Sequence, residues 1–155
     1  MSEILVLAEH RMGNLRDITK ELITLGRLLS DKENLEFGIV LLGKDTSNLI
    51  KELDNQADKL YFLEGDVFEN FNSAIYEEIL IKMLKDIKPK IFLMGHTSFG
   101  IDLASSLSQK TNLPLITDIL NLEFKNSKLF ATRQIYDGKV NSKVSLIDSS
   151  TYLVT

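Results

Sequence analysis

Cysteine is absent from the 155 residues, which removes disulfide frameworks, thiolate-held zinc or iron–sulfur centres and a thiol nucleophile together. The cytoplasm is the expected compartment. Proline occurs only at Pro89 and Pro114, and histidine only at His10 and His96. Helix interiors are therefore free of breakers, and imidazole chemistry has two candidates. No apolar stretch approaches the roughly 20 residues of a membrane span. Met1-Ser2-Glu3 enters an apolar run of a few residues, without the basic n-region or longer h-region of a signal peptide. Positive charge is also in deficit. Lys and Arg total 18 against 22 Asp and Glu, a net charge of −4 with pI near 5.2, and no region is strongly basic. Neither nucleic acid nor an anionic membrane is expected as a partner.

What is present is ordinary for a globular chain: 44% hydrophobic and 26% charged residues exclude disordered and fibrous classes, and the length suits a single domain. Ile4-Leu5-Val6-Leu7 is a continuous apolar run, as in a parallel strand buried on both faces. A polar loop, Glu9 to Asn14, leads to a helical pattern from Leu15 through Ile18, Leu22, Leu25 and Leu29. Phe37 to Leu42 reads as the second strand, with Asp45 or Thr46 capping a short helix, and Lys59 to Leu63 as the third. Ser73 is placed to cap a long amphipathic helix that Pro89 ends. Ile91 to Met94 is the fourth strand, followed by the turn Gly95-His96-Thr97-Ser98-Phe99-Gly100 and a helix closed by Asn112 and Pro114. This alternation predicts a three-layer α/β fold with a mostly parallel twisted sheet, order 3-2-1-4-5, and helices on both faces. From about residue 117 short β-rich runs follow, separated by Asn126-Ser127, Asp137-Gly138 and Ser149-Ser150. The domain is read as a core over 1–116 with an antiparallel extension over 117–155 at the sheet edge.

Nucleotide signatures are missing: neither G-x-x-x-x-G-K-[ST] nor G-x-G-x-x-G occurs, and the loop after the first strand holds only Gly13. His10 and His96 both follow predicted strands, so their loops would flank the crevice where the strand order reverses. With Glu9 and Asp102 they form the one candidate metal or acid/base set, but no H-x-x-x-H or H-E-x-x-H spacing supports ligation. A hydrogen-bonded loop pair is the preferred reading, and neither metal nor catalytic residues are assigned. Ser98 lacks a Ser-His-Asp set. The Gly95–Gly100 turn carries the strongest positional signal: its glycines permit close approach, Thr97 or Ser98 can cap the helix, and Asp102 would complement the dipole. Met12, Met83 and Met94 read as packing residues. The candidate crevice residues are Ala8, Glu9, His10, Gly95, His96, Thr97, Ser98 and Gly100.

Four stretches in register carry a resemblance. Val6-Leu7-Ala8-Glu9-His10, the T-x-x-G-x-D-L-A of the Gly95-to-Leu103 turn, Leu115-Ile116-Thr117-Asp118, and Ala131-Thr132-Arg133-Gln134-Ile135-Tyr136-Asp137-Gly138 resemble the amino-terminal domain of the electron transfer flavoprotein α subunit. The resemblance implies an adenine-nucleotide α-hydrolase-like sheet with an antiparallel extension. It further implies a scaffold domain that docks on a β subunit, without a catalytic site of its own. The complex would carry electrons from acyl-CoA or other dehydrogenases. FAD would be held mainly by a carboxyl-terminal domain absent from these residues, and AMP by the β subunit's crevice rather than this one. The alternative is a stand-alone module binding AMP or ATP between the Ala8–Asn14 and Gly95–Gly100 loops. Ile101 and Lys139 depart from the family pattern, so no ligand contact is carried over there.

Overall fold

Alternating side chains of the apolar runs face opposite ways, so each strand here must be covered on both sides. A computed structural model describes residues 3–126 and 128–155. In chain order its first elements are β1 (Glu3–Leu7), the two-residue strands β2 (His10–Arg11) and β3 (Asn14–Leu15), α1 (Asp17–Glu33), β4 (Glu36–Gly43), α2 (Ser47–Leu53) and β5 (Lys59–Glu64). A 3-10 turn at Asp66–Phe68 precedes α3 (Ser73–Ile87), β6 (Ile91–Leu93), α4 (Ser98–Thr111) and β7 (Leu115–Ile116). The chain continues through β8 (Ile119–Lys125), β9 (Lys128–Ile135) and β10 (Val140–Ser145) to β11 (Tyr152–Val154).

Six strands form one parallel sheet in the order β5-β4-β1-β6-β11-β7. Ile4, Val6, Ile39, Leu41, Ile91 and Leu93 face α1 and α2, where they meet Leu22, Ile23, Leu29, Leu49 and Leu53. Leu5, Leu7, Val40, Leu42 and Phe92 face α3 and α4 through Tyr76, Leu80, Leu84, Leu103 and Leu107. The expected order 3-2-1-4 is therefore found.

The end of the chain differs from expectation. β11 lies inside the sheet, parallel, between β6 and β7: Tyr152 is opposite Ile91 and Leu153 opposite both Phe92 and Leu115. Thr151 to Thr155 are all buried. Three consecutive apolar residues need cover on both faces and hydrogen-bonding neighbours on both edges, which only an interior strand supplies. The antiparallel part is a separate sheet, β10-β9-β8, and not an edge extension. Its Leu122, Leu129 and Ala131 pack into the core on the α1 side. Of the Asn126-Ser127 turn, Asn126 has φ 50°, while Ser127, like Met1 and Ser2, lies outside the described residues.

Several local expectations also change. α1 starts at Asp17 because Leu15 is used by the β2–β3 hairpin. Asn72, not Ser73, caps α3, its side chain accepting from the amides of Ala74 and Ile75. Thr46 precedes α2 but gives it no side-chain cap, since its hydroxyl donates to Glu64 at 2.6 Å.

Candidate functional site

Parallel sheets place their ligand sites at the carboxyl edge, where strands hand over to helices. Here that edge is formed by the turns after β1 and β6. Beyond Leu7 the chain is locked to α1: the Glu9 amide donates to the Thr19 hydroxyl at 2.8 Å, and that hydroxyl donates back to the Glu9 carbonyl at 2.9 Å. The β2–β3 hairpin then projects outward. Its tip, Met12-Gly13, has φ of 51° and 74°, the two positive values that a type I′ hairpin turn demands. Met12 is 88% exposed, so the packing role expected for it is not found.

His10 pins this hairpin to the end of β4. Its Nε2 lies 2.8 Å from the Leu42 carbonyl, which can only accept, so Nε2 carries the proton. Tyr76 donates to the same carbonyl at 3.0 Å. Burial pushes the Tyr76 phenol up to about 12.

Thr97 is the cap of α4, accepting from the Gly100 amide at 3.1 Å. Its own proton is shared between both carboxyl oxygens of Glu9, each 3.0 Å away. Glu9 is only 3% exposed. A Cβ on Gly95 would sit 2.4 Å from Glu9 Oε1, and one on Gly100 1.9 Å from the Gly95 carbonyl oxygen. The two glycines therefore let the carboxyl group and the turn come together. Burial raises the Glu9 pKa, against the lowering effects of the Thr97 hydroxyl, the Arg16 charge and the Gly95 backbone.

The second histidine turns elsewhere. His96 Nδ1 meets the Thr155 hydroxyl at 2.9 Å, and its Nε2 is 3.8 Å from Asp118. It lines a cavity of about 210 Å³ with Ile18, Leu22, Leu93 and Val154, on the α1 side. Asp102 is exposed, and α4 has no acid in its first turn, which begins at Ser98. The His10, His96, Glu9 and Asp102 set is thus not assembled, and among the described residues no three His, Asp or Glu side chains form a metal-holding group. Each histidine is taken by its own backbone or hydroxyl partner.

Ala8, Glu9, His10 and Ser98 do converge, on a cavity of about 650 Å³. Sequence reasoning missed its other wall. Phe68, Phe71, Tyr76 and Phe99 form an aromatic cluster, with Phe71 and Phe99 centroids 4.0 Å apart and Phe71 and Tyr76 5.1 Å apart. Arg11, Met12, Arg16, Glu69 and Asn70 also line it. With Glu9 this makes two cations and two carboxyl groups, so the cavity has no strong net sign. The available signal was the pair Phe68 and Phe71 in the loop after the third strand.

These features define a class: a doubly wound parallel-sheet domain whose carboxyl-edge crevice has an aromatic wall and a helix turn occupied by the chain's own carboxyl group. The chain belongs to the electron transfer flavoprotein domain family, whose model matches residues 4–155. It is 37% identical over 142 residues to the electron transfer flavoprotein subunit alpha of Syntrophomonas wolfei, covering 91% of this chain and 44% of that protein. The subunits of the same description from Methylophilus methylotrophus and Megasphaera elsdenii are each 30% identical, covering 100% and 98% of this chain and 48% and 46% of those proteins. The chain thus spans about half the length of these curated relatives.

Proposed function

We propose that this chain is the scaffold domain of an electron transfer flavoprotein α subunit, docking on a β subunit of similar fold in a soluble cytoplasmic complex. The complex would collect electrons from acyl-CoA or other dehydrogenases. The observation that carries this reading, within the family match, is that the reactive groups of the turns after β1 and β6 are each committed to a partner within the fold. His10 is held by Leu42, His96 by Thr155, and Thr97 by Glu9. No nucleophile–base pair follows from such an arrangement.

FAD does not fit the crevice, because its diphosphate would need the position at the head of α4 that Glu9 fills. In this reading FAD is a cofactor of the complex and is not held by this crevice. A second reading, an adenine nucleotide in the crevice, draws on the aromatic wall, on which a base could stack. The filled turn argues against its phosphate.

For docking, the antiparallel sheet offers exposed apolar side chains at one end: Leu120, Tyr136 and Val140 are 59%, 75% and 45% exposed, and Val140 pairs with Ile135 beside Tyr136. Such a patch suits a protein interface. The test is to mix the purified chain with a family β subunit and follow size and flavin absorbance. The chain alone should be colourless and should co-elute with the β subunit at one to one. Tight stoichiometric FAD binding by residues 1–155 alone would sink the reading.

A further inference from the structure

Glu9 calls for an explanation of its own, since sequestering a carboxyl group from water is costly unless something is gained by it. From the loop after β1 its carboxyl group reaches into the turn between β6 and α4, the place where a parallel-sheet domain meets ligand phosphates. First-turn amides of a helix lack partners within the helix, and the dipole there favours negative charge. Glu9 meets a donor that a phosphate would use, the Thr97 hydroxyl at 3.0 Å from both carboxyl oxygens, with the Arg16 charge nearby. Gly95 and Gly100 are bare because a Cβ would strike Glu9 or the Gly95 carbonyl. The adjoining cavity of about 650 Å³ and its aromatic wall remain. What the crevice lacks for a nucleotide is room at the anion position, not a surface for the base.

We propose that Glu9 is a resident substitute for a ligand phosphate, and that this one side chain sets the selectivity of the crevice against phosphorylated ligands. The wild-type crevice is closed to nucleotides by a part of its own fold. Removing the side chain vacates the position while leaving Thr97, Gly95, Arg16 and the aromatic wall in place. Glu9→Ala thereby acquires an anion site. Glu9→Gln, which fills the same volume, stays closed. The proposal deepens the scaffold reading by giving a reason why this half of the complex holds no nucleotide.

The test compares wild type, Glu9→Ala, Glu9→Ser and Glu9→Gln by calorimetric titration and thermal melting with inorganic pyrophosphate, AMP and adenosine. Wild type and Glu9→Gln should show no response to pyrophosphate or AMP. Glu9→Ala and Glu9→Ser should bind both at least tenfold more tightly than wild type, with AMP ahead of pyrophosphate because the base adds stacking. Adenosine should not distinguish the four proteins. Because a ligand that binds only the native state raises the melting temperature, a destabilised variant still gives a reading. Melting temperatures of the small-residue variants that do not respond to pyrophosphate would overturn the proposal. So would a wild type that binds AMP as tightly as Glu9→Ala. Failure to dock on a β subunit would break the scaffold reading and leave this one standing.

Discussion

Glu9 and Thr97 stand 88 residues apart and meet in one hydrogen-bonded unit, so each should report on the other. Thr97→Val removes both the proton offered to Glu9 and the cap of α4. It should cost about 1–3 kcal/mol, the usual penalty for a buried group losing its partner, read from denaturant unfolding. The same unit predicts a pH effect. The folded-state pKa of Glu9 is raised above its ordinary 4.5, so the native state holds this proton where the unfolded chain has released it. The stability contribution of Glu9 is full below that ordinary value and declines as pH rises through the folded pKa. Melting of wild type and Glu9→Gln across that window should therefore diverge in favour of the variant as pH rises. Arg16 and Thr97 oppose the shift without cancelling it. Both residues could be named from the sequence as crevice members. Their pairing could not, because it depends on how closely two loops approach, which the bare glycines permit and do not announce. The two histidines mislead for the same reason. Chain position puts both at the carboxyl edge, but local hydrogen bonds turn them to different partners.

At the scale of elements, β11 is the part whose loss should be felt most. Tyr152, Leu153 and Val154 are at most 1% exposed, and the strand hydrogen-bonds to β6 on one side and β7 on the other. The loop before it is tied down as well, with Lys90 donating to the Ser149 carbonyl at 3.1 Å and lying over the Tyr152 ring. Leu153→Ala should destabilise by about 2–5 kcal/mol, the range for a large buried side chain cut to alanine, a sizeable share of a typical domain's stability. The first four main strands were legible because each is followed by its own helix, and local periodicity marks that alternation. The place of β11 was not, because pairing a strand with one about 60 residues earlier leaves no local trace. A run such as Tyr-Leu-Val reads alike at an edge or in the centre.

For the whole molecule, the acid side of the stability profile has several contributors. Asp58 accepts from the Phe37 amide at 2.8 Å and from Arg27 at 3.0 Å. Glu64 is held by Thr46, and Glu77 by Lys110 and Ser106, all three carboxyls below their usual pKa. Each contributes stability above its ordinary value that is lost as pH falls through the lowered one, so acid unfolding should follow these groups while Glu9 works against them. The proposed assembly with a β subunit is also tested at this scale. Tyr136→Glu and Leu120→Glu place a charge on side chains that are 75% and 59% exposed. They should leave melting nearly unchanged and weaken β-subunit binding about tenfold or more, as burying an unpaired charge at an interface does.

The most direct test of the account is an FAD titration of the 155-residue chain, followed by flavin fluorescence, with the β subunit added afterwards. The account predicts no flavin bound by the chain alone and a one-to-one complex once the β subunit is present. Stoichiometric quenching of flavin fluorescence by the chain alone would contradict it.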